Sequence, residues 1–168
     1  ITFASDATLR SGNPVGSTTR VLANNIAVNA GVTATVDTAA PVPLVLNGNI
    51  TSAATSSVID KIGAEGIGLG GDNSGFTGTF RLRSNHLGFN SATAGSENAA
   101  WIVQESGVLI ASTVNGATIK LGSLTGSSSA DLRNDGFVSG NATFEIGALN
   151  TSTSYDGIIR DNAGSKTH

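Results

Sequence analysis

The chain has no cysteine and no methionine, one tryptophan, one tyrosine and three prolines in 168 residues, and only 12% of its residues are charged. Without cysteine there are no disulfide staples and no thiolate metal sites. Helices need exposed Lys, Glu, Arg and Gln, which are scarce here, and no window of twelve residues carries a helical apolar stripe. A formal net charge of −3 offers no basic surface to nucleic acid or to anionic lipid, so neither is expected as a partner. The longest apolar stretches are five or six residues, such as Pro41 to Leu46, too short to cross a bilayer.

What is present is small and β-branched. Hydrophobic residues make up 39% of the chain, with Ala, Val, Ile and Leu dominant and six Phe, which suits a narrow, layered core. Gly, Ser, Thr and Asn are over-represented, but Ile, Val and Thr recur throughout, which argues for a folded all-β chain and against disorder. Apolar and polar residues alternate in short bursts, punctuated by Gly or Asn every eight to twelve residues or so. The alternation predicts strands at Ile1–Ala4, Thr19–Leu22, Asn25–Asn29, Thr33–Asp37, Pro43–Leu46, Ser57–Ile62, Gly66–Leu69 and Gly78–Arg83. Further strands are predicted at His86–Phe89, Ala100–Gln104, Gly107–Ile110, Ala117–Leu121, Ala130–Arg133, Thr143–Ile146 and Gly157–Arg160. Ser91–Asn98 reads as a longer polar loop, and no boundary divides residues 1–168, which form one domain.

Many short strands fit either a sandwich of hairpins or a solenoid of parallel coils. Hairpin dipeptides are too few for a sandwich: Asn47-Gly48, Asn115-Gly116 and Asp135-Gly136. Small side chains suit ladders from coil to coil, and strand–Gly turn–strand phrases recur, as in NIAVNAGVTATVDT and WIVQESGVLIAST. These phrases return at roughly 20 to 25 residues, which predicts a single-stranded parallel β-helix of about seven or eight coils. The chain starts at Ile1 inside a strand-like pattern with no initiator Met, and reads as a processed chain or a segment of a longer one.

The stretch from Lys61 to Leu87, KIGAEGIGLGGDNSGFTGTFRLRSNHL, resembles the autotransporter-associated β-strand repeat at Lys61, Gly63, Gly66, Leu69, Gly70, Asn73, Phe76, Gly78, Thr79, Leu82 and Leu87. It departs from the pattern by an extra residue, Ala64 or Glu65, and by Ser84-Asn85-His86 in place of the usual Gly. Ala142–Thr167 is similar to the segment that precedes a further repeat, at Phe144, Gly147, Leu149, Gly157 and Ile159. The resemblance implies the passenger region of a secreted or bacterial cell-surface protein. Read from the residues alone, the glycines allow positive φ and close coil approach, Asn73 closes a turn, Phe76 caps the core at a corner, and stacked Asn side chains satisfy amides between coils.

No catalytic constellation emerges, and no enzyme, cofactor or metal site is expected. Gly70-Gly71-Asp72-Asn73 superficially matches a calcium turn, but such sites need consecutive copies, so a plain turn is the reading. The acids are scattered singly. Asp60 with Lys61, Arg81 with Arg83, and Asp131 with Arg133 can meet across coils, as solvated ion pairs rather than as the paired carboxylates of a polysaccharide-cleaving enzyme. His86, the only internal His, belongs to a turn or to the surface, and the sequons at Asn49, Asn141 and Asn150 are expected to be unmodified. Trp101 either fills the core or faces out to stack on a sugar; Tyr155 lies on a loop, and the two are the candidate glycan contacts.

The leading expectation is structural: an extracellular rod or filament subunit whose partners are copies of itself, stacked end to end. The alternative is a carbohydrate-binding adhesin module using Trp101 and Tyr155 on surface glycans. A polysaccharide lyase or hydrolase and a Thr-ladder ice-binding face stand behind these two.

Overall fold

Three-to-five-residue β-branched runs broken by Gly and Asn cannot bury a face alone, so each must stack on its neighbours. The computed structural model describes residues 1–12, 19–39, 41–112, 116–134 and 141–161. Among them there is no helix, and every strand pairing is parallel. The chain is a β-solenoid.

Strands are numbered in chain order. The first side is a sheet of β1 (Thr2–Phe3), β4 (Ile26–Val28) and β7 (Ile50–Ser52). The second stacks β2 (Ala7–Arg10), β5 (Thr33–Asp37), β8 (Val58–Ile62), β10 (Thr79–Leu82), β12 (Ser96–Val103), β14 (Thr118–Gly126) and β16 (Thr143–Ile146). The third stacks β3 (Arg20–Leu22), β6 (Leu44–Leu46), β9 (Ile67–Leu69), β11 (His86–Phe89), β13 (Val108–Ala111), β15 (Asp131–Asn134) and β17 (Ile158–Asp161). Among the described residues the second and third sides each stack seven strands, about six turns, close to the expected seven or eight coils. Coil length varies: Ile67 pairs with Leu87, 20 positions on, and Leu132 with Ile159, 27 positions on.

The alternating pattern becomes vertical columns of inward side chains. On the second side they are Ala34, Ile59, Phe80, Trp101 and Leu124, and beside them Leu9, Val36, Lys61, Leu82 and Val103. On the third side Leu44, Ile67, Leu87, Leu109 and Leu132 stack in register, next to Leu46, Leu69 and Phe89. All of these except half-buried Leu9 are buried. Phe76 is buried at its corner, as its place in the sequence suggests.

Corners are made by glycine and asparagine. Gly63 has φ +94°, a left-handed turn that other residues rarely adopt. A Cβ on Gly71 would lie 2.3 Å from the Gly48 carbonyl oxygen one coil below, so the coils touch through bare backbone there. The asparagine stacking expected at such turns is present. Asn25 Oδ1 accepts the Asn49 N–H at 2.9 Å, and Asn49 Oδ1 accepts the Asp72 N–H at 3.0 Å. Asn73 spans three coils: its Oδ1 accepts the Ile50 N–H at 2.8 Å and its Nδ2 donates to the Ala94 carbonyl at 2.9 Å.

Three expectations need correction. Ala7–Arg10 and Ile50–Ser52 are strands, although ATLR and ITS are too short and too polar to show a period of two; pairing with β5 and β4 makes them strands. The polar loop at Ser91–Asn98 ends earlier, because β12 begins at Ser96. β14 runs on to Gly126, pairing with β12 through Ser123–Gly126 and with β16 through Thr118–Leu121, and bridging to Tyr155 through Gly126. The turns at Asn115 and Asp135-Gly136, the stretch 162–167 and His168 lie outside the described residues.

Candidate functional site

Trp101 is in the core. It alternates inward with Val103 on β12, while Ile102 faces out, and it is 2% exposed. Its ring stacks on Phe80 with centroids 5.1 Å apart and meets Phe89 edge-on at 5.3 Å, and its Nε1 donates to the Ser96 carbonyl at 3.2 Å. The ring and its polar handle are thus engaged inside, and the sugar-stacking reading of Trp101 is set aside.

Tyr155 is half-buried and packs on the core at the last rung. Its ring lies over Gly126, where a Cβ would come within 2.3 Å of it. Burial, and secondarily the Asp131 charge, push the phenol up to about 12. It reads as a plug over the inward column more than as an exposed contact residue.

The charged residues sort themselves by the pleat. Asp60 faces outward and Lys61 inward, so the two do not pair; Asp60 meets Arg83 at 2.9 Å and Arg81 at 3.7 Å. On the third side Asp131 meets Arg160 at 2.7 Å and Arg133 at 3.5 Å. The Asp60 and Asp131 hydrogen bonds hold the guanidinium groups of Arg83 and Arg160 above their usual pKa. The two aspartates belong to different sheets, β8 and β15, each between two arginines. Paired carboxylates for acid and base work are not brought together at these positions. On β12, β14 and β16 of the second side, Lys120 bonds Glu97 at 2.7 Å and stands in register with Glu145, a column of alternating charge.

Asp72, the candidate calcium ligand, turns back on its own loop. Its Oδ1 accepts the Ser74 N–H and hydroxyl at 3.1 and 2.7 Å, which lowers its pKa. Among the described residues no three His, Asp or Glu side chains are grouped to share a metal ion. His86 lies over Gly66, with Nδ1 2.7 Å from Asn85 Oδ1, an imidazole packed on a turn.

Sequence reasoning missed two features. One is an open groove of about 480 Å³ at the corner of the second and third sides, lined by Arg83, Ile102, Gln104, Glu105, Thr125 and Ser127. These residues come from three coils, so no local motif announces them. The other is the environment of Lys61, which is fully buried. Its Nζ donates to the carbonyls of Glu65, Ser84 and Gly63 at 2.5, 2.9 and 3.2 Å. Burial lowers its pKa to about 8, opposed by the Glu65 and Asp37 charges. The signal was available in principle: Lys61 has the inward parity of Ile59 on β8.

Comparison of the chain with protein-family models, with curated proteins and with solved structures gave no match.

Proposed function

We propose that this chain is a structural rod, a non-catalytic section of a secreted or cell-surface β-solenoid protein that stacks end to end. The observation that carries the reading is the closed interior. Apolar columns run from coil to coil, broken in those described above by the buried stem of Lys61, and the one tryptophan is consumed by packing. The outer charges are spent on neighbouring coils, as in Arg10–Asp37, Asp60–Arg83, Glu97–Lys120 and Asp131–Arg160. Such a molecule resists bending and proteolysis because its backbone groups are paired above and below.

The surface location rests on the resemblance carried by Lys61–Leu87. Six residues of that motif have a mechanical task here: Leu69, Leu82 and Leu87 fill columns, Phe76 fills a corner, Asn73 spans coils, and Gly63 turns the chain. End-to-end association rests on the outer rungs. Leu9 and Leu22 on one, and Phe144 and Tyr155 on the other, are only partly buried, and a further coil would cover them. Electron microscopy and light scattering over a concentration series test this directly: fibres or linear oligomers are expected. A monomer at every concentration, with rapidly exchanging amides in β2 and β17, would remove the stacking claim.

A further inference from the structure

Lys61 occupies a place that the pattern reserves for an aliphatic side chain. Its column neighbours are Val36 below and Leu82 above, and it is fully buried. The stem fills the column, and the ammonium reaches the corner between β8 and β9. Three carbonyls converge there: Gly63 and Glu65 from its own coil, and Ser84 from the next. The corner is braced around them. The Thr38 hydroxyl lies 2.6 Å from the same Glu65 oxygen, the Ser84 hydroxyl donates to Gly63 at 2.9 Å, and Asn85 Nδ2 donates to the Ala64 carbonyl.

An ammonium has three N–H donors and no acceptor, which matches three carbonyl oxygens one for one; a neutral amine has two. The other charges nearby are the Glu65 carboxylate on the same turn and Asp37 at the end of β5, both of sign favourable to a cation. Arg81 and Arg83 are turned to the outside, toward Asp60. We propose that this corner is a binding site for a primary ammonium ion, which the chain fills with its own Lys61, and that a small alkylammonium ion occupies it when the lysine stem is removed. This inference is independent of the rod reading, since it concerns one interior corner and no outside partner.

Lys61→Ala removes the atoms of an n-propylammonium ion, so that ion is the probe. Thermal unfolding of the variant at pH 7 is expected to fall by about 10 °C, and ~100 mM n-propylammonium chloride to restore several degrees of it while leaving wild type unchanged. Neither tetramethylammonium chloride at the same ionic strength nor n-propanol should do so. Equal rescue by n-propanol, or none by n-propylammonium, would overturn the proposal, because the site would then be a cavity indifferent to charge. Wild type supplies a second readout that needs no variant. The Lys61 Nζ protons are expected as a slowly exchanging ammonium signal in NMR at pH 6, in contrast to exposed Lys120. Exchange as fast as that of Lys120 would also refute the assignment.

Discussion

The middle coils and the outer rungs are built from the same alphabet, yet they differ in what their side chains experience. In β9 all three residues are buried, and Trp101 of β12 is clasped between Phe80 and Phe89. In β17 all four residues are exposed, although Ile159 stands in register with buried Leu132 and Leu109. Ile159 is 68% exposed and Leu109 1%. An inward position in a solenoid is therefore buried only by the coils on both sides of it.

The largest test of that difference is a pair of truncations. Trp101→Ala is expected to cost about 3–5 kcal/mol in urea unfolding, and Ile159→Ala less than about 0.5 kcal/mol. Similar losses at the two sites would mean that the outer rung is covered in solution. Next in size is the asparagine pair. Asn73→Ala removes two buried hydrogen bonds that link three coils and should cost about 2–3 kcal/mol, whereas Asn25→Ala, at an exposed corner, should cost under about 1 kcal/mol.

The two regions also carry titrations of opposite sign. Lys61 has a folded pKa of about 8 against an ordinary 10.5, so the unfolded chain holds more protons between those values, and this residue's contribution to stability rises with pH across that window. Tyr155 is shifted upward, from 10.0 to about 12, so its contribution is intact below pH 10 and is lost as the pH climbs to 12. Stability measured from pH 7 to 12 should thus rise and then fall. Lys61→Met should remove only the rise, and Tyr155→Phe only the fall; a profile unaltered by either change would contradict both assignments. The smallest effect is expected on the surface: Arg10→Ala breaks an exposed pair with Asp37 and should cost at most about 0.5 kcal/mol, vanishing in ~1 M salt.

Much of the fold was legible because the signal is local. Thr33–Asp37, His86–Phe89 and Thr143–Ile146 are strands with the bounds their alternation predicts. β7 was not legible, since three residues with one strong apolar side chain carry no period, and only pairing with β4 defines them. Trp101 shows the same limit for the candidate site. Alternation placed it on a face with Val103, but which face was inside depended on Phe80 and Phe89 from the fourth coil. Lys61 is the harder case: its parity was readable, but the carbonyls that accept its charge come from two turns whose path no spacing rule specifies.

Composition and period by themselves determined that this chain is all-β, that its core is narrow, and that its strands return about every 20 to 25 residues as stacked coils. Those properties follow from side-chain size and alternation, which belong to each residue and its immediate neighbours. Which aspartate meets which arginine, which ring is enclosed, and where a buried lysine finds its acceptors were decided only in three dimensions. These depend on register between coils twenty or more residues apart, and uneven turn lengths set that register.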